Sequence, residues 1–459
     1  MATPGSGGAT AAEGVFSPRY RAMSIGVLMS VTIVAFQSLG VGTAMPDVAR
    51  DLGGLGSYGW AFSAFMLASV VGSVAAGRDA DAHGPLRAYL AAILTFAGGS
   101  LLAALAWSWG ALLAGRALEG LGSGALGVVT YTSASRAYPT EMYGRMLALM
   151  SSAWVLPSLA GPALAGIIAE TTTWRWVFVF LLPFLPFAVV LTMPGLRSLA
   201  PVAEGGRGGM SLRRAGLLAA GLAAFLAALE LGTPLVAVPL ALAGLALAVP
   251  SLRTLLPEGT LRAARGLPSG ILVRGLLAVA FLGCDAFMPL ALTELEGFSL
   301  AEAGIVISVA SLSWSLGSFL QAGLDRRDRG TGRRQRLSAG LAVLVVGIAV
   351  TGAGLFGSGG GIVAGAGWTI AGFGIGIGYS SVGALVLSQA PGGGEGAVSA
   401  SLQLIETISI ALFTGLGGVL VALGVDHGWD VESALATIVA AAGVAAAVGL
   451  AASRRATLV

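Results

Sequence analysis

The stretch Leu112-Leu-Ala-Gly-Arg-Ala-Leu-Glu-Gly-Leu-Gly-Ser-Gly-Ala-Leu-Gly-Val-Val-Thr130 is long and apolar enough to cross a bilayer, yet it contains Arg116 and Glu119. Residues three and four apart share one face of a helix, so Glu119 lies beside Arg116 on a face rich in glycine. A charge at the centre of a membrane helix costs roughly 2.5–3.5 kcal/mol on insertion scales, which indicates a use for the pair. The glycines favour the close approach of a second helix.

The composition indicates a membrane protein. Of the 459 residues, 56% are hydrophobic and 10% are charged, which is too little charge to cover a soluble protein of this size. A stack of membrane helices needs no such cover, because lipid solvates its exterior. The 25 basic residues are all arginine and lie scattered between apolar runs. This distribution fits the positive-inside rule, and we expect no nucleic-acid partner.

The sequence contains few residues that could build a catalytic or metal centre. Cys284 is the only cysteine, so no disulfide can form within the chain, and the two histidines lie in different loops. We find no nucleotide-binding loop and no cofactor motif. We therefore expect no metal, no cofactor and no enzymatic activity. A membrane-embedded enzyme is the competing class, and it would need a nucleophile, an acid–base pair or a metal cluster.

Fourteen apolar segments have the roughly 17–25 residues that a membrane-spanning helix needs. They are 22–44, 58–77, 86–106, 109–133, 145–169, 174–194, 211–231, 233–250, 270–293, 303–324, 336–356, 361–388, 397–423 and 432–452. The sequence thus predicts an all-α membrane protein. Its expected parts are a mobile cytoplasmic tail (1–21), a six-helix bundle (22–194), a linker with two extra membrane helices (195–268), a second six-helix bundle (269–452) and a cytoplasmic tail (453–459).

The arginines between these segments predict the orientation. With the N-terminus in the cytoplasm, Arg50 and Arg175 lie outside, and the arginines of the other loops lie inside, in 78–87, 136–145, 197–214, 253–274, 326–336 and 454–455. An asymmetry this strong follows the positive-inside rule. We expect both termini in the cytoplasm and a multi-pass protein of a bacterial plasma membrane, since the abundance of Arg, Gly and Ala suggests a GC-rich bacterial genome.

An internal repeat relates the two bundles. Gly120-Leu-Gly-Ser-Gly124 reappears as Gly372-Phe-Gly-Ile-Gly376, and Met45-Pro46 reappears as Met288-Pro289, about 250 residues further along the chain. The two segments between the copies return the chain to its starting side, so both copies have the same orientation. Parallel six-helix repeats with a cleft between them are a recurrent transporter plan, in which one half rocks on the other.

Four stretches resemble the major facilitator superfamily, in particular its fourteen-helix drug/proton antiporter branch. The first stretch, 77–87, resembles the family's cytoplasmic loop motif after helix 2. The resemblance implies that an acid there pairs with arginine and caps a neighbouring helix, which holds the outward-open state; an ordinary positive-inside loop is the alternative. The matching residues are Gly77, Asp81, Gly84 and Arg87, with Asp325 and Arg326 in the repeat copy.

The second stretch is 112–127, which resembles the family's Arg-x-x-Gln-Gly-x-Gly helix with Glu119 in place of the glutamine. The resemblance implies that Arg116 serves proton coupling by changing the pKa of an acid as its partners change. The repeat copy has Trp368 at the arginine position, so the charge belongs to one half. A structural ion pair that fixes helix packing is the alternative, although a buried ion pair is weak evidence for stability.

The third stretch, 157–166, resembles the antiporter motif Gly-x3-Gly-Pro-x3-Gly, which implies an exporter. Gly161, Pro162 and Gly166 match the motif, and Pro157 replaces its leading glycine. Prolines bend a helix because they remove backbone donors, and the glycines let it press on a neighbour. The fourth stretch, Trp174-Arg-Trp-Val-Phe178, has the aromatic residues of a membrane interface and is assigned to anchoring.

The sequence departs from the branch at Gln37, where an aspartate is often found and where glutamine cannot titrate. We place proton coupling on Arg116 and Glu119 together with two further embedded acids, Asp285 and Glu406. In this fold the first and fourth helices of each half line a central cavity, so we expect Asp285 to face Arg116 and Glu119. Structural carboxyl groups are the alternative. Candidates for the substrate cavity, with ordinary packing as their alternative, are Gln37, Trp154, Trp368 and Gln403.

These features predict a secondary active transporter that works by alternating access. The hypothesis is proton-coupled export of amphipathic small molecules, such as drugs, toxic metabolites or lipids, across the plasma membrane. The expected partners are the amphipathic substrate, protons and membrane lipids, and the protein is expected to be a monomer. A facilitator or importer of a polar metabolite is the closer alternative. It predicts a more polar cavity and transport that is independent of a proton gradient.

Overall fold

The computed structural model describes residues 14–201, 211–231, 233–391, 394–427 and 430–456. In these ranges the chain forms fourteen helices that are long and apolar enough to cross a membrane, and it forms no strand there. The expected all-α fold with fourteen membrane-crossing helices is confirmed. Parts of the predicted tails and linker lie outside the described residues, namely 1–13, 202–210, 232 and 457–459.

The helices are numbered in chain order. They are α1 (Arg21–Leu52), α2 (Leu55–His83), α3 (Pro85–Ala104), α4 (Trp109–Ala137), α5 (Met142–Thr171), α6 (Trp174–Arg197), α7 (Leu212–Glu230), α8 (Pro234–Leu255), α9 (Leu267–Glu296), α10 (Leu300–Asp328), α11 (Arg333–Phe356), α12 (Gly360–Leu387), α13 (Glu395–Leu423) and α14 (Val431–Ser453).

The first six and the last six helices form two bundles with one packing pattern. In the first bundle α4 packs against α2 and α3, and in the second α12 packs against α10 and α11. The glycines of the repeated motif lie at these contacts. A Cβ on Gly120 would overlap the carbonyl oxygen of Phe65, and one on Gly372 would overlap that of Ala310. The shared glycines are therefore required by close helix packing.

Prolines account for the interruptions of two helices. α5 is broken at 153–154, and α9 contains a π-helical turn at 278–283 and a break at 286–287. A proline cannot donate to the carbonyl four residues earlier, and its ring crowds that carbonyl. For Pro157 and Pro289 these carbonyls belong to Ala153 and Asp285, directly at the breaks. α1, by contrast, keeps Pro46 inside a continuous helix.

The two extra helices lie on one side of the pair of bundles. α7 packs on α2 of the first bundle and on α13 of the second, where Leu226 fills the space beside Gly415. α8 packs on α7 through a close approach of Gly221 and Gly244. Its outer surface is apolar and exposed, as at Leu235. Such a surface is typical of a helix that faces lipid.

Because the number of crossings is even, α1 begins and α14 ends at the same end of the bundles. We call this end the terminal face and the other end the opposite face. At the terminal face the backbone N–H of Gly266 donates to the carbonyl of Arg455 over 2.8 Å. The arginine-rich loops lie at the terminal face, whereas Arg50 and Arg175 lie at the opposite face.

Candidate functional site

A polar network surrounds the ion pair of α4. Arg116 Nη1 donates to Glu119 Oε2 over 2.6 Å, because the two residues lie one helical turn apart. Glu119 Oε1 accepts from Ser100 Oγ of α3 over 2.6 Å and from Gln37 Nε2 of α1 over 2.9 Å. All four side chains are buried. Three helices thus supply donors to a single carboxylate.

The remaining contacts of Arg116 enclose it as well. Its Nε donates to the carbonyl of Ala61 over 3.0 Å, and its guanidinium lies 4.4 Å from the centre of the Phe65 ring. The sequence suggests Gln37 for the substrate cavity, but the structure places its amide inside this buried network. Gln37 is therefore a member of the polar network around Glu119.

Asp285 lies just after the π-helical turn of α9. Its Oδ1 accepts a hydrogen bond of 2.8 Å from the indole Nε1 of Trp368, which is fully buried. The Trp368 ring in turn stacks on Phe281, with ring centres 4.7 Å apart and planes 5° apart. Among the described residues, Asp285 forms no ion pair, and no hydrogen bond joins it to Arg116 or Glu119. That Asp285 faces this pair across the central cavity stays a prediction.

Glu406 of α13 is held by two residues that sequence analysis did not identify as part of a site. Arg274 Nε donates to Glu406 Oε2 over 2.8 Å, and the Tyr379 hydroxyl lies 2.9 and 3.1 Å from the two carboxylate oxygens. The guanidinium of Arg274 also stacks 3.2 Å above the centre of the Tyr379 ring. The sequence groups Arg274 with the loop arginines, although it lies two turns inside α9.

A row of aromatic rings connects the two acids of the second bundle. Phe281, which stacks on Trp368 beside Asp285, also meets Trp314 edge to face at 5.5 Å. Trp314 meets Tyr379 at 5.3 Å, and Tyr379 binds Glu406. The row therefore runs from Asp285, toward the opposite face, to Glu406, toward the terminal face.

A small pocket lies in the half of the first bundle that is nearer the terminal face. Its surface is mainly apolar, and the residues that line it include three with a hydroxyl group and two with an aromatic ring. Both Tyr131 and Trp154 are exposed, and so is Gln403 of the second bundle. The pocket is lined by Ser30, Val31, Val34, Leu126, Gly127, Thr130, Tyr131 and Trp154.

The two bundles cross each other twice near the opposite face. At one crossing α2 meets α13: a Cβ on Gly59 would overlap the carbonyl of Thr414, and Gly418 lies against the backbone of Gly59. Ser63 Oγ donates to the carbonyl of Ala411 over 2.8 Å at the same crossing. Close backbone contact at this crossing thus depends on two glycines.

At the other crossing α10 meets α5 with the repeat-equivalent residues. A Cβ on Gly304 would overlap the carbonyl of Pro162, and one on Gly166 would overlap that of Leu300. The backbone N–H of Ala163 donates to Ser308 Oγ over 3.3 Å. The internal repeat therefore extends to the contacts between the bundles.

Polar contacts between the bundles lie at the same end. Arg50 Nε and Nη2 donate to Glu294 Oε1 over 3.0 and 2.7 Å, and the Tyr58 hydroxyl donates to the carbonyl of Ala286 over 3.2 Å. The hydrogen bonds that the described residues form between the bundles all lie toward the opposite face, whereas Trp154 is exposed toward the terminal face. The transporter-like cleft is thus closed at the opposite face and open at the terminal face.

Comparison with known proteins identifies the family. Residues 24–414 match the Major Facilitator Superfamily. The chain belongs to the Major Facilitator Superfamily. This membership confirms the family that the motifs indicate, and it places the chain among membrane transporters.

Relatives of this superfamily member match part of it. Multidrug resistance protein 3 of Bacillus subtilis is 31% identical over 159 residues, which are 35% of this chain and 31% of the relative. Azole resistance protein 1 of Saccharomyces cerevisiae is 30% identical over 176 residues, which are 38% of this chain and 29% of the relative. These matches thus span about a third of the length of each curated relative.

Solved structures of transporters share the fold of the whole chain. A POT family transporter in complex with 5-aminolevulinic acid covers 95% of this chain at a TM-score of 0.67 and 14% identity, with 96% of its own chain covered. An auto-inhibited POT family peptide transporter covers 95% at a TM-score of 0.65 and 17% identity, with 97% of its own chain covered. At such identities the likeness shows the fold alone.

The two loop motifs of this superfamily member each form their ion pairs within their own bundle. In the first loop a hydrogen bond of 2.9 Å joins His83 Nδ1 to Asp79, and Arg87 lies 3.6 Å from the same carboxylate. No ion pair of Asp81 occurs in the part of the chain that is described. Gly84 has a φ of +86° at the turn between α2 and α3, which favours glycine. A Cβ on Gly77 would make only an ordinary contact.

In the second bundle the equivalent acid is Asp325. It pairs with Arg333 over 2.6 Å and with Arg336 over 2.8 Å. Arg326, the motif residue that follows it in the sequence, is exposed. These ion pairs join the end of α10 to the start of α11. They stabilise the loop of the second bundle and do not reach the first.

The residues of the antiporter motif in α5 have separate positions. Pro157 lies in the turn after the break of α5, and Gly161 lies beside the ring of Phe36 in α1. Pro162 and Gly166 lie at the crossing with α10. The motif therefore shapes α5 and its contact with the other bundle.

Proposed function

We propose that this transporter exports amphipathic small molecules by alternating access and couples their release to proton entry. The observation that carries the proposal is the set of three acids embedded in membrane-crossing helices, Glu119, Asp285 and Glu406. Ionisable residues at this depth are costly and mark ion or substrate pathways by default. Two of the three acids are paired with arginine, and Asp285 is bound by a neutral indole.

This difference assigns separate roles to the acids. Protonation of Glu119 or Glu406 would leave Arg116 or Arg274 buried without its partner, which costs about 3–5 kcal/mol. Asp285 can gain or lose a proton without breaking an ion pair. We therefore propose Asp285 as the proton carrier, with the two ion pairs as groups whose contacts differ between the inward-open and outward-open states.

The cavity supports an amphipathic substrate. The exposed side chains that line the pocket are aromatic, as in Tyr131 and Trp154. The names of the relatives, a multidrug resistance protein and an azole resistance protein, point the same way. A polar metabolite would need more hydrogen-bonding groups than the lining of the pocket offers.

The arginine-rich terminal face supports an orientation with both termini in the cytoplasm of a bacterium. In that orientation the cleft opens to the cytoplasm, and the state is the one that loads an exported substrate. Substrate and proton shift the equilibrium between the two states only through their different affinities for each. We propose that the protein acts as a monomer surrounded by lipid, because each chain contains both halves of the cleft.

The test is transport of fluorescent amphipathic dyes in proteoliposomes under an imposed pH gradient. We expect dye transport to follow the proton gradient, to fall at least tenfold in Asp285→Asn, and to persist in Glu258→Gln, which removes an exposed acid of the linker. Proton-driven transport at the wild-type rate in all of Glu119→Gln, Asp285→Asn and Glu406→Gln would refute the coupling. Transport of polar metabolites without any dependence on the gradient would favour the facilitator instead.

A further inference from the structure

The irregular part of α9 distinguishes the second bundle from the first. It comprises the π-helical turn at 278–283 and the break at 286–287, which precedes Pro289. The repeat-equivalent helix α1 is continuous through Pro46. π-helical turns inside α-helices occur frequently at functional sites. The break separates α9 into two parts that can change their relative orientation.

Three consecutive residues at this break contact three different helices. Asp285 accepts from Trp368 of α12. The carbonyl of Ala286 accepts from the hydroxyl of Tyr58, which belongs to α2 of the other bundle and is fully buried. The ring of Phe287 lies 5.7 Å from that of Tyr58 and fills the space beside Gly417 of α13.

Tyr58 also belongs to the closed opposite face. It precedes Gly59, whose backbone contacts Thr414 and Gly418 of the other bundle. The peptide that follows Asp285 is therefore hydrogen-bonded to the residue beside the closest contact between the bundles. A rotation of this peptide would move the Ala286 carbonyl away from the Tyr58 hydroxyl.

We infer that Tyr58 is a positioning residue that couples the charge of Asp285 to the closure of the opposite face. This inference rests on the proposed role of Asp285 as proton carrier. A proton on Asp285 changes its hydrogen bond with Trp368, the adjacent peptide reorients, the bond between Ala286 and Tyr58 is lost, and the opposite face opens. The titratable groups beside Asp285 are the buried thiol of Cys284 and the hydroxyl of Tyr58.

Tyr58→Phe is the sharpest variant, because it removes the hydroxyl and keeps the ring that packs against Phe287. The readout is the distance between spin labels at Trp107→Cys and Ile362→Cys, which are exposed positions at the opposite face of the two bundles. Cys284 is buried and does not compete for the label. Tyr89→Phe is the matched control, since its buried hydroxyl bonds Ser30 within the first bundle.

We expect acid to widen the label distance in the wild type. At neutral pH, Tyr58→Phe should raise the population of molecules with an open opposite face about fivefold, as expected for the loss of one hydrogen bond. The further widening of the label distance in acid should be smaller in this variant than in the wild type. Tyr89→Phe should behave as the wild type does. In Asp285→Asn the label distance should not respond to acid. Adding Tyr58→Phe to Asp285→Asn should change the open population by less than Tyr58→Phe changes it in the wild type.

Two results would overturn the inference. The first is a Tyr58→Phe variant that matches Tyr89→Phe in population and in response to acid. The second is an effect of Tyr58→Phe that is equally large with and without Asp285→Asn. Tyr58 would then stabilise the closed opposite face independently of the acid. Failure of the proposed function has a different signature, because Asp285→Asn would then retain both proton-driven dye transport and the response of the opposite face to acid.

Discussion

The side-chain amide of Gln37 donates a hydrogen bond of 2.9 Å to the carboxylate of Glu119, across the contact between α1 and α4. The two residues thus share one hydrogen bond inside a buried network that also holds Arg116. An acid at either end of this bond would lie within the same network. An experiment can therefore decide whether the acid must lie on α4 or can equally lie on α1.

Exchanging the two side chains tests whether the network or the position matters. Glu119→Gln alone leaves Arg116 buried without a counter-ion, and we expect a loss of stability of about 3–5 kcal/mol and at least tenfold slower proton-driven transport. The double variant Gln37→Glu/Glu119→Gln should recover part of both losses, as measured by thermal unfolding in detergent and by dye transport.

Gln37→Glu alone is the control for this exchange. It places two carboxylates at one hydrogen bond, and their repulsion should destabilise the protein. A double variant that is no better than Glu119→Gln would show that the carboxylate must reside on α4.

Substitutions of Arg274 and Glu406 should have strongly non-additive effects on stability, because the two residues form an ion pair. Either single variant, Arg274→Gln or Glu406→Gln, leaves one buried charge unpaired, whereas the double variant leaves none. We expect the double variant to be more stable than the less stable single variant, with a coupling energy of about 1–3 kcal/mol. Thermal unfolding of the four proteins measures it. Arg253→Gln, at an exposed position of α8, serves as the control, and additive losses would contradict the prediction.

The glycine crossings should control which face is open. A Cβ at Gly59 or Gly304 would overlap a backbone carbonyl of the other bundle, so Gly59→Ala or Gly304→Ala must separate the bundles there. We expect both variants to shift the label distance at the opposite face toward the open state. Gly98→Ala is the matched control, because nothing lies within 4 Å of its Cβ position. An unchanged distance in both variants would show that the backbones can move aside without opening the cleft.

The ion pair between Arg50 and Glu294 should contribute little and should respond to salt. Both side chains are substantially exposed, and exposed pairs are typically worth about 0–1 kcal/mol. We expect Arg50→Gln to raise the open population less than tenfold and high salt to have a similar effect on the wild type. The label distance at the opposite face reports both effects. Arg175→Gln, which breaks a pair with Asp51 inside the first bundle, should leave the distance unchanged.

Much of the fold was predictable from local patterns. Apolar segments of membrane-spanning length predicted fourteen helices, and the repeated glycines, such as Gly120 and Gly372, predicted close helix contacts that the structure contains. These features depend on residues near one another in the chain and on the cost of exposing polar groups to lipid. The pairing of Arg116 with Glu119 was predictable for the same reason, since both lie on one face of one helix.

Contacts between distant helices could not be predicted in this way. Sequence spacing gave no sign that Arg274 and Tyr379 would hold Glu406, or that Trp368 would bind Asp285, because these residues are about 27 to 132 positions apart. The sequence also suggested Gln37 for the cavity, and the resemblance implied an arginine partner for Asp81. Gln37 instead donates to Glu119, and Asp81 forms no ion pair among the described residues. At these positions the direction of the side chain and the neighbouring helices determine its partners, and neither can be read from sequence spacing.

The sequence by itself determined the membrane-spanning helices, the repeat and the family, since these depend on hydrophobic length, glycine spacing and motifs that are local in the chain. The tertiary structure alone decided that Glu406 has an arginine partner and Asp285 an indole, and which end of the cleft is closed. Both depend on how helices from different parts of the chain approach one another. Asp285 and Glu406 look alike as isolated acids in apolar runs, and only the packing of α9, α12 and α13 gives the one an indole and the other a guanidinium.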